Sequence, residues 1–142
     1  MDYGKSAEKL LINLYRLSSL PEQKQLLNLS KGELCVLVAL ARNGELKPGE
    51  LMRITETSSA HMAKILRNLV SKGEVVKRSD PEDGRSAVIS LTEKGRCHVS
   101  EVYSKAVEKT ISVMKKMEEE DIDDLLRITD RLLAMEAEVV SQ

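Results

Sequence analysis

The chain has 142 residues, of which 42% are hydrophobic and 32% charged, and a formal net charge of −1. These values are typical of one soluble globular domain with its own core. There is no Trp, no Phe and only three Tyr, which argues against single-stranded nucleic acid as a partner, because its bases stack on aromatic side chains. Duplex nucleic acid and protein partners remain open.

The amino terminus lacks a secretory pattern, since no basic segment precedes a long apolar run. No stretch reaches the roughly 18 apolar residues that a membrane span requires. We therefore expect a cytoplasmic protein with no membrane partner.

The first predicted element is an amphipathic helix over about residues 5–20. Leu20-Pro21 ends it, because proline disfavours helical geometry in the preceding residue. A second helix follows the capping box Ser30-Lys31-Gly32-Glu33. Its apolar run LCVLVALA also fits a buried strand, but the capping box and the Asn43-Gly44 stop favour a central helix. The apolar stripe of the first helix is Ala7, Leu10, Leu11, Leu14 and Leu17.

The next two predicted helices form a helix-turn-helix. Pro48 suits the first turn of a short helix that runs to about Ile54, and Ser58 caps a longer helix that runs to Lys72 and ends on Gly73. An apolar rear face and a polar or basic front face are typical of a DNA-reading helix. The apolar face carries Met62, Ile65, Leu66 and Leu69, and the opposite face carries Ala60, His61, Lys64, Arg67, Asn68 and Ser71.

A short β-hairpin is predicted directly after the helix-turn-helix. The two predicted strands are Glu74–Arg78 and Ala87–Leu91. The loop between them contains Pro81 and Gly84, which interrupt strand structure. A hairpin in this position is a wing.

Two long helices are predicted for the last third of the chain. Apolar residues keep the helical period from a cap at Thr92 to Met117 and, after a break at Glu118–Asp121, from Ile122 to Val140. Because so little of the chain is left to cover these stripes, we predict that they pack against each other and against a second subunit. The predicted dimerisation residues are Leu10, Leu11, Leu14, Leu125, Leu132 and Leu133.

Charge is segregated along the chain. Residues 58–78 carry five basic side chains and one acid, whereas residues 118–138 carry nine acids and two arginines. A phosphate backbone is attracted to the first segment and repelled by the second. The alternative is that each segment is only a solvated face.

Metal and catalytic signals are weak. Cys35 and Cys97 lack CxxC spacing, and with only His61 and His98 besides them no zinc-site pattern exists. A carboxylate metal sensor is the remaining metal alternative. No catalytic triad, paired carboxylate cleft or nucleotide-binding loop is visible, so we predict no enzyme, no metal and no cofactor.

The order of these elements, together with residues 79–95, resembles the MarR family of winged helix-turn-helix transcriptional regulators. The family's wing reads D-P-x-D-x-R, then a strand and L-T-x-x-G, which Asp80–Arg85 and Leu91–Gly95 match. The resemblance covers nearly the whole chain. It implies one mainly α domain, residues 1–142, with a small β-hairpin wing. Its winged helix-turn-helix over about 30–96 is flanked by dimerisation helices at about 5–20 and 97–140.

The resemblance also implies a function. A homodimer, most often a repressor, binds double-stranded DNA at a pseudo-palindromic operator, with its recognition helices about 34–36 Å apart. A small aromatic or phenolic effector between the dimerisation and DNA-binding parts releases the DNA. Arg85 is implied to enter the minor groove, whereas Gly84 replaces a residue that is often basic in the family.

Chemistry assigns roles on the recognition helix. Ser58 caps it and leaves amides for a phosphate. Ser59 and His61 suit base edges or phosphates, Ala60 suits a thymine methyl, and Lys64 suits a phosphate or guanine. A solvent-facing His61 without a partner is the alternative. The predicted DNA-binding residues are Ser58, Ser59, Ala60, His61, Lys64, Arg67, Asn68, Asp83 and Arg85.

Several alternatives stay open. Asp83 is interpreted as a partner that orients Arg85 or anchors the wing to a base, or else as a plain turn-forming aspartate. A thiol-redox regulator of the same fold is one alternative function, because Cys97 begins a long helix beside Arg96 and His98. The other is a winged-helix module that binds protein and not DNA, and it needs neither the basic face nor Arg85.

Overall fold

The computed structural model describes residues 1–21 and 32–140, without the side chains of residues 136–140. In this part of the chain it confirms the predicted fold class, six helices and one two-stranded antiparallel hairpin. The elements are α1 (Tyr3–Ser18), α2 (Gly32–Asn43), α3 (Pro48–Thr55), α4 (Ser59–Ser71), β1 (Val75–Ser79), β2 (Ala87–Leu91), α5 (Glu93–Met114) and α6 (Glu119–Val140).

The chain divides into two compact units, Met1–Ser104 and Lys105–Gln142. In the first unit, α2, α3, α4 and the hairpin enclose one aliphatic core. The apolar run of α2 is helical and supplies its centre, as predicted, with Val36, Leu37 and Leu40 at most 2% exposed. Ser30 and Lys31 of the predicted capping box lie outside the described residues.

Two glycines end helices of this unit. Gly44 and Gly73 have φ angles of +77° and +72°, in the left-handed region where a side chain is strained. After Gly73 the chain reverses, and the Glu74 N–H donates to the Leu69 carbonyl at 3.0 Å. Strand β1 therefore begins at Val75, one residue later than predicted, because the Glu74 N–H bonds back to α4 and not across the hairpin.

The hairpin packs on the helices through one face. Its register pairs Val75 with Leu91 and Lys77 with Ile89. Ile89 is fully buried and also exchanges two backbone hydrogen bonds, of 3.1 and 2.8 Å, with Leu46 in the connection after α2. This bridge anchors the wing to the helix-turn-helix.

Helix α1 begins and ends two residues earlier than predicted. The Asp2 carboxylate accepts a hydrogen bond from the Lys5 N–H at 3.1 Å, so the helix begins at Tyr3. At its other end the Ser18 and Ser19 hydroxyls donate to the Tyr15 carbonyl at 2.7 and 2.9 Å. These side-chain hydrogen bonds compete with the backbone hydrogen bonds of the helix, which therefore ends before Pro21.

The predicted break between the last two helices is misplaced by about three residues. Helix α5 ends at Met114, and α6 has begun at Glu119, inside the segment predicted as the break. The Met117 N–H bonds back to the Met114 carbonyl at 2.9 Å, a tight turn. The acids at 119–121 lie in the first turn of α6, where the helix dipole favours negative charge.

No helix in the described part of the chain is both long and apolar enough to cross a bilayer.

Candidate nucleic-acid interface

Helices α3 and α4 form the helix-turn-helix, with α4 in the position of the recognition helix. The Ser58 Oγ accepts a hydrogen bond from the His61 N–H at 3.3 Å and so caps α4. The rear of the helix is fixed in the core by Met62, Ile65, Leu66 and Leu69, all at most 7% exposed. The predicted contact residues are all exposed, namely Ser58, Ser59, Ala60, His61, Lys64, Arg67 and Asn68.

Asn68 has a partner inside the protein. Its side-chain amide donates to Oε1 of Glu33 on α2 at 3.1 Å, and the other oxygen of Glu33 pairs with Lys72 Nζ. The hydrogen bond from Lys72 lowers the pKa of Glu33, and the same bond raises the pKa of Lys72. A base contact by Asn68 would compete with this link between α2 and α4.

Lys77 adds a cation that the sequence analysis did not select. It lies on β1 and lines one open cavity together with Ser59, Arg67 and Val70 of α4. The basic side of α4 and the wing strand therefore face the same surface. The sequence signal for Lys77 was its positive charge within a predicted wing strand.

The wing tip is organised by two aspartates. Asp83 Oδ1 accepts a hydrogen bond from the Arg85 N–H at 3.1 Å, and its Oδ2 accepts one from the Ser86 hydroxyl at 3.0 Å. Asp80 Oδ1 accepts one from the Glu82 N–H at 3.0 Å. Such side-chain turns shape a loop without glycine-specific geometry. Asp83 thus contacts the backbone of Arg85, which leaves the exposed guanidinium at the tip for another partner.

Asp80 also ties the wing to the helix-turn-helix. Its Oδ2 lies 3.0 Å from Nζ of Lys47, the residue that precedes α3. The Glu82 backbone hydrogen bond, followed by that of Lys47, lowers the pKa of Asp80, and Asp80 raises the pKa of Lys47. The negative charge of this aspartate is therefore offset by a neighbouring cation. No pattern in the sequence predicts the ion pair between Lys47 and Asp80.

The L-T-x-x-G segment joins the wing to α5 and to the end of α4. The Thr92 hydroxyl donates to the Gly73 carbonyl at 2.6 Å and accepts from the Gly95 N–H at 3.1 Å. The Thr92 N–H donates to the Glu74 carbonyl at 3.0 Å. A Cβ at Gly95 would lie 2.1 Å from that carbonyl oxygen. Glycine is therefore required here for close approach. We call these contacts the helix junction.

A cavity of about 610 Å³ lies in the first unit between α2, β2 and the start of α5. Leu40, Leu91, Val99 and Tyr103 form its apolar wall, and Arg96 is among its polar lining residues. The Arg96 Nε lies 3.2 Å from Glu93 Oε2. An apolar cleft with a few polar groups is typical of a small-molecule site.

The two cysteines differ in their surroundings. Cys35 is half-buried in α2, and burial raises the pKa of its thiol, which is typical of an unreactive structural cysteine. Cys97 is exposed on α5, and its Sγ lies 3.7 Å from a carboxylate oxygen of Glu93. Arg96 and His98 adjoin Cys97 in the sequence, and the side-chain contact of its thiol is with an acid.

The helix-turn-helix, the adjoining hairpin and the helix junction define a winged-helix protein. The MarR family model matches residues 27–86, and the fold is that of solved MarR-like transcriptional regulators. Both the matched family model and this fold belong to transcriptional regulators.

Solved structures match over nearly the whole chain. A MarR-like transcriptional regulator from Thermotoga maritima is 27% identical and matches 96% of this chain and 98% of that one, with a TM-score of 0.66. The YusO protein from Bacillus subtilis has a TM-score of 0.73 at 19% identity, covering 94% and 99%. Mutant MarR from E. coli complexed with operator DNA has a TM-score of 0.65 at 17% identity, also covering 94% and 99%.

Two curated relatives, both from Bacillus subtilis, match in sequence. The HTH-type transcriptional regulator YdgJ is 34% identical over 68 residues, which are 48% of this chain and 42% of the relative. The HTH-type transcriptional repressor YetL is 28% identical over 102 residues, which are 70% of this chain and 61% of the relative. The alignments thus span less than two thirds of either relative.

Proposed function

We propose that this protein is a cytoplasmic, homodimeric transcriptional repressor that binds a pseudo-palindromic duplex operator. One observation carries the proposal, the exposed polar and basic surface of α4 beside a wing that presents Arg85 at its tip. Helix α4 fits a major groove, and an arginine at a wing tip fits the adjoining minor groove. The repressor YetL and the operator complex of E. coli MarR support this function by likeness.

Exposed leucines support the dimer. Leu10, Leu11 and Leu14 of α1 are 52–68% exposed, and Leu125, Leu132 and Leu133 of α6 are 47–70% exposed. Rows of large apolar side chains in contact with water mark an association surface. A second copy of the chain offers the same rows, and a two-fold dimer would present two recognition helices to successive major grooves.

The cavity beside α5 is our candidate effector site. Its apolar wall suits an aromatic ring, and the Arg96 guanidinium and the Tyr103 hydroxyl suit a phenolate or carboxylate. Because α5 also bears the helix junction, a ligand in the cavity would act on the element that holds the end of α4. Release of DNA by such a ligand is the proposed regulatory step.

Selection of duplexes from a random pool, followed by affinity measurements over a range of salt, tests the function. With several phosphates contacted, we expect affinity to fall by orders of magnitude over a few-fold rise in salt. Enriched duplexes should contain two half-sites about one helical turn apart. Absent or salt-insensitive binding would show that the proposal is wrong and would favour a protein-binding module.

A further inference from the structure

A buried carboxylate lies where α4, β1 and α5 meet. Glu74, between the end of α4 and the start of β1, is 6% exposed. Its Oε1 contacts Nδ1 of His98 on α5, whose side chain is 43% exposed. An ionised carboxylate is costly to bury without a charged or hydrogen-bonding partner, and His98 supplies such a partner.

The main chain of Glu74 is fixed at the same place. Its N–H donates to the Leu69 carbonyl of α4, and its carbonyl accepts from the Thr92 N–H, both at 3.0 Å. Glu74 therefore joins the last turn of α4 to the first turn of α5 through its backbone and its side chain. A change at the side-chain contact acts on the orientation of α4 relative to α5.

Other charged groups face this pair from the neighbouring elements. Lys72 at the end of α4 interacts electrostatically with Glu74, and Glu33 of α2 interacts electrostatically with His98. Lys94, one turn before His98 on α5, donates its Nζ to the Lys72 carbonyl at 2.7 Å. The carboxylates of Glu74 and Glu33 therefore both interact with the imidazole, and the buried Glu74 carboxylate is in direct contact with it.

We propose that His98 is a positioning residue for DNA recognition: its protonated ring, held against Glu74, orients the end of α4, so operator affinity falls when the ring loses its proton. The inference rests on the proposed operator binding. A neutral imidazole gives the carboxylate a weaker hydrogen bond than an imidazolium does. Histidine is also the side chain that ordinarily changes charge between pH 5 and 8.

The chain has only two histidines, which makes the test specific. His61 is exposed in the first turn of α4, so its protonation would also favour DNA, by adding positive charge near a phosphate. Operator affinity is measured between about pH 5.5 and 8 for the wild type, His61→Asn and His98→Asn. We expect His61→Asn to retain a loss of about fivefold with rising pH, the difference between a charge-assisted and a neutral hydrogen bond. His98→Asn should keep only the part of the pH effect that depends on His61.

Salt distinguishes the two histidines further. A phosphate contact weakens as salt rises, whereas a partly buried pair is screened much less. The pH effect that depends on His98 should therefore persist in high salt, and the one that depends on His61 should shrink. A His98-dependent effect that disappears in high salt would contradict the internal role.

A calorimetric measurement covers the case in which His98→Asn does not fold. Operator binding by the His61→Asn protein is measured in two buffers of different ionisation enthalpy near pH 7, which reports proton uptake. We expect uptake, because binding favours the protonated, paired state. No uptake, or equal pH profiles for wild type and His98→Asn, would overturn the inference and leave operator binding intact. Absence of salt-sensitive duplex binding by the wild type at every pH would overturn both proposals.

Discussion

The acidic residues of the wing tip have structural partners that reduce their conflict with DNA. Asp80 pairs with Lys47, and Asp83 accepts the Arg85 N–H and the Ser86 hydroxyl. Their oxygens shape the loop that carries Arg85. The contacts of Asp83 are those of a turn-forming aspartate, without a side-chain ion pair to Arg85, and its role in orienting Arg85 stays a prediction.

At the residue scale, Arg85→Ala should weaken operator binding by about 1–3 kcal/mol, which corresponds to roughly 5- to 150-fold. The guanidinium is exposed at the wing tip, so its loss removes a DNA contact without disturbing the core. Binding titrations measure the affinity, and sedimentation checks the oligomeric state. Arg131→Ala, at an exposed position of the acidic helix α6, is the matched control. Equal affinity of the two variants would contradict the minor-groove role.

The predicted elements depend on local signals, and most of them are correct. Ser58 caps α4 and Gly73 ends it as the sequence indicates, because caps and left-handed turns are decided within a few residues. The break before α6 was misplaced, since acids suit both a loop and a first helical turn. The contacts of Asn68 with Glu33 and of Asp80 with Lys47 join residues at least 33 positions apart, and no local pattern reveals them.

Among the elements, the helix junction predicts a strong effect of Gly95→Ala. The added methyl would lie 2.1 Å from the Glu74 carbonyl oxygen, so α5 would have to shift. We expect a loss of about 1–3 kcal/mol or more in the free energy of unfolding, measured by denaturant titration. Gly84→Ala is the matched control, because a Cβ there meets nothing within 4 Å. Similar stabilities of the two variants would show that the junction tolerates a side chain.

The link between α2 and α4 predicts a pH dependence of stability. Lys72 lowers the folded-state pKa of Glu33, so this carboxylate stabilises the fold above its unfolded-state pKa, about 4.3. That contribution is lost as the pH falls through the lowered folded-state value. We expect Glu33→Gln to be less stable than wild type near neutral pH, with a difference that shrinks below about pH 4.

Denaturant titrations between about pH 2 and 7 measure this difference. Glu8→Gln, at an exposed position of α1, should behave like the wild type across the range. A constant difference between Glu33→Gln and wild type at every pH would mean that the ion pair with Lys72 does not contribute.

For the whole molecule, the decisive prediction concerns assembly. Leu133→Asp places a charge on the apolar row of α6, where Leu133 is 70% exposed in the single chain. Burial of an unpaired charge at an interface is costly, so we expect monomers by sedimentation and a loss of operator affinity. Val76→Asp, on wing strand β1 and 46% exposed, is the control and should remain dimeric. A dimeric Leu133→Asp protein would show that the interface lies elsewhere.

The helix junction also bears on how such a protein changes its DNA sequence preference. At the end of α4 it is the backbone carbonyls of residues 72, 73 and 74 that accept the hydrogen bonds from Thr92 and Lys94. Backbone carbonyl groups accept the same hydrogen bonds whatever side chains α4 carries. The exposed positions of α4 can thus vary while its contacts with α5 are kept. Under the proposed function, a new operator could then be acquired without a change in the proposed effector response.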